Sequence, residues 1–243
     1  MSEITHMFHF DSNDQLPMLV FFLLGAGFIA YHFISSLIHS YAQHHFHDSG
    51  QSTRYAYHIQ RIVGFVFLGL IPAAFVVTFQ DKSLTDFGFN VEDLPLILLW
   101  SGILGAVIIA ANFYVARRPE NLDVYPQIRL RNWNAKELTL NFLTWFIYLL
   151  GYEFMFRGLF LFSFYYAYGA AMAITVNCIM YALVHVPKGA KETIGSLPLG
   201  IILSIICLYT ESFFVAFVFH IIMAFSNDLF AIKANPMMAI KNR

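Results

Sequence analysis

The chain has 243 residues, of which 58% are hydrophobic and 12% are charged, and its formal net charge is −1. Because a soluble domain carries about a quarter charged residues, this composition excludes an ordinary soluble globular protein. The near-neutral charge provides no basic stripe for phosphates and argues against a nucleic-acid partner. The apolar residues form long runs, and about 20 such residues cross a bilayer as a helix. We therefore predict an all-α, polytopic transmembrane helix bundle surrounded by membrane lipids.

Seven apolar runs predict seven membrane spans. In chain order the runs are Pro17–Ile38, Ile62–Phe79, Leu94–Ala116, Glu137–Tyr168, Ala170–Val186, Ser196–Tyr209 and Phe213–Phe230. Pro72 predicts a kink in the second span. The fourth run would reach about 48 Å as a helix, which exceeds the hydrocarbon core. It must therefore tilt, break near Gly151 or Gly158, or extend along the interface.

The positions of the basic residues predict how the chain is oriented. Lysine and arginine concentrate in the first and third connections, after the fifth span and at the C-terminus, which ends on Arg243, whereas the N-terminus has neither. The positive-inside rule then predicts an N-terminus outside and a C-terminus in the cytoplasm. We expect a multi-pass protein of the bacterial plasma (inner) membrane. We divide it into residues 1–136, with three spans, and residues 137–243, with the polar spans and the cytoplasmic tail.

The connection between the first two spans is rich in histidine. The histidines are His39, His44, His45, His47 and His58. A metal site is one interpretation, but no spacing among them defines a ligand set. A solvated interfacial loop, anchored by neighbouring aromatic side chains, is the interpretation that the pattern favours.

Polar and ionisable side chains inside the last spans are the functional candidates, because such groups are costly in a membrane. They are Glu153 and Arg157 in the fourth span, Asn177, Tyr181 and His185 in the fifth, and His220 and Asn227 in the seventh. Counting inward from tight turns near Gly169 and Thr210 brings Glu153, His185 and His220 to depths at which they can converge. A structural ion pair, interhelical hydrogen bonds, a proton relay and water activation for hydrolysis all stay open.

Three motifs carry a family resemblance over residues 137–230. The segment 151–158, Gly-Tyr-Glu-Phe-Met-Phe-Arg-Gly, resembles the first motif, Glu-Glu-x-x-x-Arg, of the CPBP intramembrane metalloproteases. That family includes the type II CAAX prenyl endopeptidases and Abi-like bacterial immunity relatives. Tyr181-x-x-x-His185 is similar to its second motif, Phe-x-x-x-His, and Phe219-His220 to its third, His-x-x-x-Asn.

The resemblance implies roles for the residues at the matching positions. It implies that His185 helps to activate a water, that His220 faces the oxyanion and that Glu153 matches the second glutamate of the motif. We predict Glu153, His185 and His220 as the catalytic residues, with Glu153 as the base. The supporting residues that it implies are Arg157, Tyr152, Tyr181 and Asn227. If a divalent metal such as zinc is bound, the resemblance implies that Glu153, His185 and His220 are its ligands.

Two positions depart from the family pattern. Tyr152 stands where the family has its first glutamate, and a tyrosine is a poor base because its phenol is protonated at neutral pH. Ala224 stands at the asparagine position, and losing one oxyanion donor costs about 10²–10³ in rate. Asn227 lies about 4.5 Å farther along the helix axis and is an imperfect substitute.

Three functional hypotheses follow from these residues. The first is an intramembrane endopeptidase acting on a membrane-associated or lipidated protein or peptide. The second, motivated by Tyr152 and Ala224, is a catalytically silent relative that keeps the cavity to bind a partner protein or lipid anchor. The third is a proton- or ion-coupled carrier that uses Glu153, Arg157 and the histidines.

Overall fold

The computed structural model describes residues 12–79 and 82–241 and confirms an all-α bundle. Arg243 and the first eleven residues, which entered the orientation argument, lie outside the described residues. The long helices are α1 (Ser12–His45), α2 (Ser49–Phe79), α3 (Leu94–Val115), α4 (135–168), α5 (170–183), α6 (Ala190–Tyr209) and α7 (Phe214–Ala234). Single helical turns occupy Leu84–Phe87, Pro119–Leu122 and Val186–Lys188. Strands β1 (Asn132–Trp133) and β2 (Ala239–Ile240) pair in parallel.

Within the part of the chain that the structure describes, the predicted spans correspond to six uninterrupted segments that are long and apolar enough to cross a membrane. The predicted fourth and fifth spans fall in one segment, Ala135–Leu183, which reverses direction at Gly169. Gly169 has φ +80°, a conformation that glycine adopts without the steric cost of a Cβ atom. The long fourth run therefore turns back at Gly169 as one hairpin.

The histidine-rich segment is helical, so the prediction of an interfacial loop is wrong. Helix α1 extends to His45, and α2 begins at Ser49, where the Asp48 side chain accepts a hydrogen bond from the Gln51 backbone N–H at 2.8 Å. This N-cap satisfies a backbone donor that the first helical turn leaves unpaired. In α2, His58 and Arg61 are buried against α4 and bond to its side chains. These contacts explain why this polar stretch is part of a helix.

A π-helical turn lies close to each place where the sequence predicts a kink or a break. Val66–Leu70 precedes Pro72 in α2, and Phe154–Phe160 follows Gly151 in α4, and both helices continue through them. A π-helical turn inserts an extra residue without ending the helix. The two widened regions lie beside each other, and an added Cβ on Gly69 would come within 2.9 Å of the Gly151 Cα atom.

The two ends of the bundle differ in their connections. We call the end that carries the connections 46–48, 116–134 and 184–189 and strand β2 the basic end. There the β1–β2 pair lies over a small apolar cluster that includes Ile128, Trp133 and Ile232. At the opposite end the Phe213 backbone N–H donates to the Gly88 carbonyl at 3.1 Å. The largest buried cluster runs between these ends, around the π-helical turn of α4.

We predict that Gly69→Ala destabilises the bundle by about 1–3 kcal/mol, because its new methyl group meets backbone that cannot move aside. Thermal unfolding in detergent measures the effect. Gly102→Ala in α3 is the matched control, since an added Cβ there has no neighbour within 4 Å and alanine favours a helix. Equal melting temperatures for the two variants would contradict the close approach of α2 and α4.

Candidate active site

A cavity of about 280 Å³ lies between α4, α5, α6 and α7 and reaches the basic end. Its walls include these sequence-predicted residues: Tyr152, Tyr181, His185, His220 and Asn227. Ala224 also lines it, and Asn121, Tyr125 and Lys188 line its outer part. Glu153 and Arg157 are fully buried beside this cavity, outside its lining. The predicted residues thus form two layers, one facing the cavity and one behind it.

Behind the cavity wall, Glu153 contacts two cationic or ionisable side chains. Its Oε1 lies 2.9 Å from Nδ1 of His220, and its Oε2 lies 3.6 Å from NH1 of Arg157. All three side chains are almost completely buried. A buried carboxylate requires such partners, since its desolvation otherwise costs several kcal/mol. The structure therefore brings together the fourth and seventh spans through Glu153 and His220.

Tyr181 connects the buried layer to the cavity. Its hydroxyl lies 3.0 Å from Nε2 of His220, and its ring lies 3.9 Å from the Arg157 guanidinium carbon, a cation–π distance. Because Nδ1 of the neutral His220 imidazole donates to the Ala216 carbonyl oxygen at 3.1 Å, Nε2 accepts the hydrogen bond from the Tyr181 hydroxyl. This arrangement orders Glu153, His220 and Tyr181 in one chain that ends at the cavity.

His185 stands on the other side of the Tyr181 ring and does not contact Glu153 directly in the described residues. Its Nδ1 donates to the Tyr181 carbonyl oxygen at 2.7 Å, and the two rings are 4.5 Å apart. This bond places the proton on Nδ1 and leaves Nε2 as an acceptor. Burial, with a smaller effect from the Lys188 cation, lowers the pKa of His185 to about 4. The imidazole therefore stays neutral near pH 7.

The donor geometry does not fit a three-ligand metal site. In residues 12–79 and 82–241, no group of three or more His, Cys, Asp or Glu side chains is placed to hold a metal ion. The Glu153 carboxylate is engaged by His220 and Arg157, and the Tyr181 ring packs against both histidines. We derive no step through a metal, and the divalent cation stays a prediction.

Asn177 supports the π-helical turn of α4. Its Nδ2 donates to the Phe156 carbonyl at 2.6 Å, and its Oδ1 accepts from Ser204 at 3.2 Å. Shifted hydrogen bonding in a π-helical turn leaves backbone groups that side chains can satisfy. Asn177 thereby ties α5 and α6 to the turn that presents Glu153 and Arg157.

The two departures from the family pattern face the same cavity. The Tyr152 hydroxyl is buried and has no hydrogen-bond partner among the described residues. Ala224 offers only a methyl group. Asn227 accepts a hydrogen bond from Asn121 Nδ2 through its Oδ1 at 3.2 Å, which turns its own amide donor away from that contact.

Sequence reasoning missed a second buried polar cluster, centred on Asp228 in α7. Its Oδ2 accepts from Asn141 Nδ2 at 3.0 Å and from Trp145 Nε1 at 2.9 Å. Arg61 donates to Asn141 Oδ1 at 2.7 Å and stacks on Trp145 at 3.9 Å. The rule that singled out Glu153, an acid inside an apolar run, applies equally to Asp228. Because Trp145 also lines the cavity, this cluster fixes part of its wall.

One comparison with known proteins bears on this site. Residues 134–226, less than half of the chain, match the family model described as type II CAAX prenyl endopeptidase Rce1-like. The matched range contains Glu153, Arg157, His185 and His220, and ends just before Asn227. This match confirms the family resemblance predicted from the motifs and supports a protease-type enzyme in a membrane. No curated protein and no solved structure matches the chain.

We predict that Glu153→Gln lowers the free energy of unfolding by about 3–5 kcal/mol, because it leaves Arg157 buried without a counter-charge. Combining it with Arg157→Met should recover much of the loss. Glu192→Gln is the control, since the exposed Lys188–Glu192 pair has the same four-residue spacing and contributes less than about 1 kcal/mol. Chemical unfolding of the purified proteins measures the free energy of unfolding of Glu153→Gln, of the double variant and of Glu192→Gln. Additive losses in the double variant would refute the pairing of Glu153 with Arg157.

A second prediction concerns His185 and acid. An unfolded histidine has a pKa near 6.5, whereas burial holds the folded pKa of His185 at about 4. Above pH 6.5 both states are neutral, and below it the unfolded state takes up a proton that the folded state refuses, so stability falls toward pH 4.

The test compares thermal unfolding at pH 7 and pH 5. We expect His185→Gln to lose less stability over this interval than the unmodified protein. Replacing the exposed His44 with glutamine is the control for the substitution itself. If His185→Gln retains the full loss, His185 is not the group that resists protonation.

Proposed function

We propose that this protein, whose residues 134–226 match the Rce1-like family, is an intramembrane endopeptidase that hydrolyses a membrane-associated or lipidated protein. The observation that carries the proposal is the contact between Glu153 and His220 directly behind a cavity lined by His220, Tyr181 and His185. The neutral imidazole of His185 and the hydrogen-bonding side chains of Tyr181 and His220 thus line one cavity, which is the arrangement that water activation requires.

His185 is the group that accepts the proton of the attacking water. Its Nδ1 is held by the Tyr181 carbonyl, so the free Nε2 is the acceptor. The imidazole is neutral near pH 7 and can accept a proton there, and its lowered pKa makes it a weaker base than a free histidine. After the water oxygen bonds to the peptide carbonyl carbon, the same proton passes to the departing amide nitrogen as the C–N bond breaks.

Glu153 acts through His220 as a positioning residue. Its carboxylate lies outside the cavity lining and is engaged by His220 and Arg157, so it is not the base that touches water. The contact with Nδ1 orients the His220 imidazole. The hydrogen bond to Nε2 of His220 in turn holds the Tyr181 hydroxyl at the cavity wall.

The substrate class follows from where the cavity lies. We place the basic end in the cytoplasm of a bacterial plasma membrane and the N-terminus outside, as the positive-inside rule predicts. The cavity then opens to the cytoplasmic side, within reach of proteins anchored there by a lipid or a membrane helix. The CAAX prenyl endopeptidase description of the matching family suggests a lipidated C-terminal peptide as the first probe.

The test measures cleavage of a fluorogenic prenylated CAAX peptide by the purified protein in liposomes. We expect His185→Ala to lower kcat by at least about 10²-fold, since a general base contributes 10²–10⁴-fold. His44→Ala, at an exposed histidine away from the cavity, should leave kcat unchanged. Unaltered turnover in His185→Ala would reject the proposed base.

A second candidate function is a catalytically silent binding protein, and Tyr152 with Ala224 is the observation that favours it. In that case the cavity holds a partner or a lipid anchor without cleaving it. The discriminating variant is Tyr152→Glu combined with Ala224→Asn, which restores the family pattern at both positions. Cleavage by this double variant alone would establish the silent function, whereas cleavage by the unmodified protein would exclude it.

A further inference from the structure

The Tyr152 hydroxyl is a buried polar group without a partner. Tyr152 is 6% exposed and lines the cavity, and among the described residues its hydroxyl makes no hydrogen bond. Leaving a buried hydroxyl unpaired costs free energy, and native structures contain few such groups. Because other atoms of Tyr152 line the cavity, a small rotation of its side chain can present this buried hydroxyl to whatever occupies that cavity.

The register between α4 and α7 places Tyr152 within one helical turn of the level of Ala224. The two helices run antiparallel, because Glu153 contacts His220 and Trp145 contacts Asp228, eight residues away on each helix. Midway between these contacts, Ala224 lies level with residue 149 of α4. Helical side chains lean toward the N-terminus of their helix, so the Tyr152 phenol extends toward that level. Tyr152 and Ala224 also line the same cavity.

We propose that the Tyr152 hydroxyl donates a hydrogen bond to the oxyanion of the reaction, at the place where Ala224 supplies no donor. This inference rests on the proposed peptidase function. A phenol is protonated at neutral pH, which makes it unsuited to act as a base and well suited to donate a hydrogen bond. One departure from the family pattern thereby compensates for the other.

The step conserves atoms and charge. The water oxygen bonds to the carbonyl carbon, its proton moves to Nε2 of His185, and the carbonyl electron pair moves to the carbonyl oxygen. Tyr152 keeps its proton and donates a hydrogen bond to that oxygen while it is negative. When the carbonyl reforms, the C–N bond breaks and the departing nitrogen takes the proton from His185.

The decisive variant is Tyr152→Phe, assayed with the prenylated CAAX peptide in liposomes. We expect kcat to fall about 10²–10³-fold, as when one oxyanion donor is removed, with KM within threefold of the unmodified protein. The melting temperature should stay equal or rise, since the variant removes an unsatisfied hydroxyl.

Tyr31→Phe is the matched control. Its hydroxyl accepts a hydrogen bond from Gln60 at 2.8 Å, so it is satisfied, and it lies outside the cavity lining. We expect this variant to lower the melting temperature by a few degrees and to leave kcat within threefold. Tyr152→Phe should therefore lower turnover without lowering stability, whereas Tyr31→Phe should lower stability without lowering turnover.

A rescue experiment and a binding experiment complete the test. Adding Ala224→Asn to Tyr152→Phe should restore at least tenfold of the lost kcat, and a peptide phosphonate, which mimics the tetrahedral oxyanion, should bind Tyr152→Phe at least tenfold more weakly. Turnover retained in Tyr152→Phe, or a loss confined to KM, overturns this inference and leaves the peptidase intact. If the unmodified protein neither cleaves the peptide nor binds the phosphonate, the proposed function itself falls.

Discussion

The buried carboxylate of Glu153 is the constraint on which the bundle depends. A carboxylate inside a membrane protein must be neutralised by nearby groups, because its hydration cannot be replaced by lipid. Arg157 does so from the next turn of the same helix, and His220 does so from α7. Tyr181 on α5 then packs on the guanidinium and bonds to His220. One charge therefore fixes how three helices are rotated toward each other.

A second buried acid sets the length of the site. Asp228 meets Trp145 and Asn141 about 12 Å along the helix axes from the contact between Glu153 and His220. The inner part of the cavity occupies the space between these two polar layers, where α4 and α7 present Leu149 and Ala224. Arg61 connects α2 to the polar layer around Asp228, because it bonds to Asn141 and stacks on Trp145. A helix outside the matched family region therefore also supports the cavity wall.

The cavity is less acidic than the family pattern would make it. With tyrosine in place of a glutamate and alanine in place of an asparagine, the cavity loses one acidic group and one amide, and gains one hydroxyl. Of the residues in the family motifs, His185 and Tyr152 are neutral groups in the cavity wall, while Glu153 and Arg157 lie behind it. Such a site favours proton transfer and hydrogen bonding with a peptide carbonyl.

The sequence alone determined the features that depend on local periodicity and solvent. Long apolar runs require helices in lipid, and the four-residue spacing of Glu153 and Arg157 requires a shared face, so the all-α bundle and the first motif could be predicted. Only the tertiary structure decided that Glu153 meets His220 and lies apart from His185, that Asp228 is buried, and that the histidine-rich segment is helical. These outcomes depend on the rotation and tilt of helices distant in sequence, which residue spacing within one helix does not encode.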